Sequence, residues 1–171
     1  LLACTVSARK PIKTLLITGQ NNHNWQVSHV VLKQILEIPV VLMGFAISPE
    51  QGKDMSGFVL DFSPYQLVVL DYNGDSWPEE TNRRFLEYVQ NGGGVVIYHA
   101  ADNAFSKWPE FNKICALGGW EGRNENSGLM VLEGGKLVKD SSAGVGGSHG
   151  RQHEYVLNGR DKVHPIVKAC P

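Results

Sequence analysis

The segment Gly92-Gly93-Gly94-Val95-Val96-Ile97-Tyr98-His99-Ala100-Ala101-Asp102-Asn103 constrains this chain more than any other. Three glycines follow an amphipathic run and mark a helix terminus, where the backbone turns left-handed. Val95 to Tyr98 then form an unbroken apolar run, which predicts a strand covered on both faces. A polar cluster of His99, Asp102 and Asn103 stands where that strand stops. In an open α/β sheet, ligands bind beyond the carboxyl ends of the strands, so this cluster is the first candidate site.

The same grammar recurs upstream. Ile12 to Thr18 reads as a first strand ending at Gly19, followed by the polar loop Gln20-Asn21-Asn22-His23-Asn24. From Trp25 to Glu37, Val27, Val30, Val31, Ile35 and Leu36 fall at helical spacing, and Pro39 opens a second apolar run, Val40 to Ile47. Ser48 to Asp61 reads as loop, and Gln66 to Tyr72 as a third strand. Ser76 and Glu79 have the capping-box spacing, with Pro78 in the first turn of a helix that runs to about Asn91. Strands alternating with helices over short links predict a mainly parallel sheet covered by helices. Beyond Asn103, a short helix is expected from Trp108 to Leu117. Gly118 to Gly150 is glycine-rich and without period, as in a lid or extended loop. Short strands are expected at Leu129 to Leu132 and at Tyr155 to Leu157.

With 171 residues the chain suits one domain. A formal net charge of −1 and no run of Lys or Arg argue against a nucleic-acid partner. No apolar stretch reaches the length of a membrane span. The three cysteines, Cys4, Cys115 and Cys170, are too scattered for a disulfide framework or a zinc site, and Cys115 reads as a small buried hydrophobe. Leu1-Leu2-Ala3-Cys4 resembles the end of a lipoprotein signal, the other reading being an arbitrary start. On the signal reading residues 1–10 are a tether, a lipid on Cys4 is the only link to a membrane, and the location is the bacterial periplasm or cell surface. Otherwise a cytoplasmic protein is expected.

Three strand ends carry the candidate chemistry: Asn21, Asn22 and His23 after the first, Asp71, Asn73 and Asp75 after the third, and His99, Asp102 and Asn103 after the fourth. Parallel strands place all three on one rim, where His, Asp and Asn suit proton transfer and hydroxyl recognition. Asp and Asn also end strands and cap helices for purely structural reasons, the competing reading for Asp75 and Asn103. The four tryptophans, Trp25, Trp77, Trp108 and Trp120, all follow these strands. Tryptophan faces suit sugar rings, while Trp25 and Trp108, which start helices, are read as packing. His149, His153 and Glu154 form a late polar group, and a transition-metal clip with His23 or His99 is an alternative. No phosphate-binding glycine loop follows the first strand, and there is no serine nucleophile elbow.

Leu16-Ile17-Thr18-Gly19, His23-Asn24-Trp25, Val69 to Pro78, Gly92 to Phe105, Gly118 to Arg123 and His164-Pro165-Ile166 together resemble the ThuA-like (trehalose-utilisation) family. The resemblance covers nearly the whole chain from about residue 12. It implies a flavodoxin-like fold related to class I glutamine amidotransferases, here over residues 11–171. Family members usually continue past the His-Pro-Ile segment, so the domain is expected to be cut short at Pro171. The turn that holds the nucleophilic Cys in those amidotransferases reads His99-Ala100-Ala101, so thiol-based amide hydrolysis is not expected.

The family name points to sugar chemistry, including oxidised sugars. The expected function is a hydrolase or lyase acting on a glycoside or keto-glycoside, with a small carbohydrate as ligand and no cofactor. His99 would be the acid/base, positioned by Asp102, and His23 or His153 the second proton carrier. Asp71 and Asn73 would hold hydroxyls, Trp77 and Trp120 would stack on the ring, and Asp75, Asn103, His149 and Glu154 would complete the substrate contacts. The alternatives are a non-catalytic sugar-binding module and a metal-dependent hydrolase using His23, His99 and His153.

Overall fold

The computed structural model describes residues 10–37, 41–116, 130–139, 142–143, 150–156, 158–159 and 161–168. Its elements are β1 (Ile12–Thr18), α1 (Trp25–Leu36), β2 (Val41–Ile47), β3 (Leu67–Leu70), α2 (Glu79–Gln90) and β4 (Gly94–Ile97). A 3-10 turn (His99–Asn103), α3 (Pro109–Cys115), β5 (Met130–Glu133), β6 (Lys136–Lys139) and α4 (Pro165–Lys168) follow. β1 to β4 form one parallel sheet in the order β2-β1-β3-β4. This is the first part of the flavodoxin-like order, whose ligand crevice opens between the strands flanking the reversal, β1 and β3.

Paired residues in parallel strands share a face, and period two does the rest. Leu15, Ile17, Val68 and Leu70 point into a core completed by Phe85 of α2, Phe111 of α3, and Phe58 and Phe62 from the loop before β3. Thr14, Leu16, Thr18 and Val69 face the other way, beneath α1. Ser28 of α1 reaches Asp71 there, and His29 packs against Phe45 of β2.

Helix α2 ends as its glycines demand. The N–H of Gly93 donates to the Tyr88 carbonyl and that of Gly92 to Val89, with Gly92 at φ +88°, which is the Schellman arrangement. The capping box does not form. Helix α2 starts after Pro78 with no side-chain cap, and Glu79 and Glu80 instead place negative charge in the first turn, where the helix dipole favours it.

Several expectations fail on burial. β4 is not covered on both faces, because it lies at the edge of the described sheet, with Val96 44% exposed and Tyr98 also open. The apolar stripe of α1 is not covered either: no residue of that helix is buried. In the late segment β5 lies close to its expected place, but residues 155 and 156 are in no strand. β6 was not anticipated, although Gly134-Gly135 between apolar runs is the signature of a two-residue hairpin. Both glycines take positive φ, +53° and +80°. No helix among the described residues is long and apolar enough to cross a membrane.

Candidate functional site

The site is built from the loops at the carboxyl ends of β1, β3 and β4. Gly19 turns the chain out of β1 at φ +118°, and a Cβ there would meet the backbone nitrogen of Ser48 at 2.5 Å. Gln20 comes next, buried, and holds three strand tips together. Its Nε2 donates to the Pro49 carbonyl beyond β2 (2.8 Å), and its Oε1 accepts from the N–H of Asp75 beyond β3 (2.7 Å). The N–H of Asn73 donates to the Gln20 carbonyl (2.9 Å). Nothing in the sequence marks Gln20 for this role, since its partners lie far along the chain.

Asn21 and Ser28 converge on Asp71. Asn21 Nδ2 donates to one carboxylate oxygen (3.1 Å) and Ser28 Oγ to the other (2.5 Å), while Asn21 Oδ1 accepts from the N–H of His23 (2.9 Å). Asp71 is only 1% exposed. Burial pushes its carboxyl above the usual range, opposed by the Ser28 hydroxyl, the His29 and His23 imidazoles and the Asn21 amide. The expected hydroxyl-holding role of Asp71 is therefore replaced by an internal one: its oxygens are taken by protein donors, and through Asn21 it fixes the loop that carries His23. Ser28, a polar residue on a valine-rich helix, was the available signal for this contact.

His99 leaves β4 in a left-handed conformation, φ +48°, with its side chain exposed. A non-glycine residue there costs about 1–2 kcal/mol, and such strain is a mark of functional turns. The chain thus turns sharply where β4 ends, with an imidazole on the turn. That imidazole meets His23, whose ring centroid lies 4.6 Å away at a 47° tilt. Strands β1 and β4 are not neighbours, so the His23 loop reaches across the end of β3 to make this contact.

The remaining expected residues divide. Asn73 donates to Asn22 Oδ1 (3.0 Å), and Asp75 accepts from the N–H of Gly52 (2.5 Å). Asn73, Asp75 and Asn103 all line a cleft of about 670 Å³ between the β3 and β4 loops, together with Asn82, Phe105, Lys107 and Trp108. Asp102 does not position His99. No hydrogen bond joins them, and its charge acts instead on Cys115, a half-buried thiol pushed up to about 12 by burial and then by Asp102. Trp77 does not offer a stacking face: it is 3% exposed and packs against Phe105 and Phe85 at 4.7 and 5.8 Å between ring centroids. Trp108 packs as expected, against Phe111 and Phe105 at 5.6 and 5.5 Å between ring centroids, and also borders the cleft.

His153 and Glu154 are exposed. The His153 ring lies against the Glu154 carbonyl and Tyr155, so of the two histidines expected beside His99 it is His23 whose ring meets it. Trp120 and His149 lie outside the described residues. Among those described, no group of three His, Cys, Asp or Glu side chains converges as a metal would require.

A solved crystal structure of a protein described as ThuA-like, from Parabacteroides merdae ATCC 43184, is similar to this chain. The identity is 87%, the match covers 95% of the chain, and the TM-score is 0.90. The chain spans 59% of that protein's length. No protein-family model and no curated protein matches it.

Proposed function

Because this chain belongs to the ThuA-like family, we propose that it processes carbohydrate, as a hydrolase or lyase acting on a glycoside or keto-glycoside. The observation that carries this reading is the pairing of His23 and His99 at 4.6 Å on the rim of the sheet. Two imidazoles at one mouth can act as base and acid in a single reaction. In a keto-glycoside the carbon beside the carbonyl is acidic. One imidazole removes the proton from that carbon, and the C–O bond to the leaving group breaks one carbon further on. The other imidazole, entering protonated, gives its proton to the departing oxygen. Asp71 and Gln20 contribute by holding the His23 loop against the ends of β2 and β3.

The experiment is turnover of a disaccharide panel and of its keto derivatives, read as released sugar. His99→Ala and His23→Ala are each expected to lose about 100-fold or more in rate, with little change in melting temperature because both side chains are exposed. Unchanged turnover in His99→Ala would remove the pair from the mechanism.

A further inference from the structure

We propose that the cleft between the β3 and β4 loops is the subsite for a second, uncharged sugar ring, the leaving group of the glycoside cleaved at the imidazole pair. This rests on the sugar-processing reading above. The volume, about 670 Å³, falls within the span of small-molecule pockets, about 300–1,000 Å³. The lining names the ligand class. Asn73, Asn82 and Asn103 are amides, a group that combines donors with an acceptor and so matches hydroxyls. The carbonyl oxygen of the Asn82 side chain is itself buried without a partner, so the hydroxyls fall to Asn73 and Asn103.

Charge argues for a neutral ring. Asp75 and Lys107 contribute one charge of each sign, and Asp75 already accepts from Gly52. Trp108 and Phe105 supply the apolar wall for the ring's C–H face. Two residues of the lining also tie the cleft to the loops that carry the imidazole pair. Asn73 bonds to Asn22, the residue before His23, and Asn103 closes the 3-10 turn that His99 opens. His99 and Asn103 stand at the two ends of that five-residue turn.

The test compares maltose, cellobiose and trehalose with methyl α- and β-glucoside, each also as its keto derivative, in the wild type, Asn103→Ala and Lys107→Ala. The wild type is expected to prefer a disaccharide in kcat/KM. Each variant should reduce that preference by about fivefold to tenfold, the effect of one lost hydrogen bond. Equal use of disaccharides and methyl glycosides, or variants that lower both alike, would overturn the subsite while leaving the imidazole reading intact. If no sugar is turned over, the catalytic reading falls and calorimetry decides the subsite. Tighter binding of a disaccharide than of its methyl glycoside, lost in Asn103→Ala, sustains it, and equal or absent binding overturns it.

Discussion

The two faces of the parallel sheet are built differently. One carries Leu15, Ile17, Val68 and Leu70 against α2 and α3, with Phe58, Phe62, Trp77, Phe85 and Phe111 closing over them. The other lies under α1, a helix with no buried residue, and holds the buried polar groups Thr14, Thr18 and Asp71. Stability is concentrated on the aromatic face. The residue that organises the His23 loop, Asp71, belongs to the thinly covered one. Burying an acid there is tolerable because Ser28 and Asn21 reach it from α1 and its preceding loop, whereas on the aromatic face the buried Thr81 hydroxyl donates to the Phe58 carbonyl.

The contrast can be broken first at Phe85. This ring is wholly buried and packs on Phe62 and Trp77, so Phe85→Ala should lose about 3–5 kcal/mol in urea denaturation. Thr14→Val acts on the other face with the opposite sign. The Thr14 hydroxyl is buried without a partner, and replacing it with a methyl of similar size should stabilise by about 1 kcal/mol.

Asp71→Asn sharpens the comparison through pH. An acid whose folded pKa lies above its unfolded value takes up a proton on folding. Stability therefore falls as pH rises from the unfolded value, 3.8, through the raised folded one, and the cost is fully present at neutral pH. Wild type and Asp71→Asn, unfolded in urea between pH 3 and pH 7, should diverge in favour of the variant as pH rises; a constant difference would show that burial does not perturb Asp71. The smallest effect belongs to Ile35→Ala on α1. At 65% exposure it should change stability by no more than about 0.5 kcal/mol, and a larger loss would show that α1 is covered in solution.

Much of the site was legible at the level of strand ends. His23, Asp71, Asn73 and His99 follow directly from where apolar runs stop, and the structure brings their loops to one rim. The roles were less legible. Asp102 stands three residues from His99, yet no hydrogen bond joins the two, and the Asp102 charge adds to burial in raising the Cys115 thiol. Trp77 and Trp108 follow strands in the same way, but one fills the core and the other edges the cleft. Spacing along the chain says nothing about which aromatic the neighbouring layers will enclose.

By itself, the sequence determined the alternation of strands and helices, their parallel pairing and the rim that collects their polar ends. Those features depend on periodicities of two and 3.6 residues and on turn chemistry, which act over a few neighbouring positions. Only the tertiary structure decided that Gln20 clamps three loops, that Asp71 is consumed by Ser28 and Asn21, and that His99 sits left-handed against His23. Each is a contact between residues 29 to 76 positions apart in the numbering, and such contacts form only when the packed layers bring distant segments within a few ångströms.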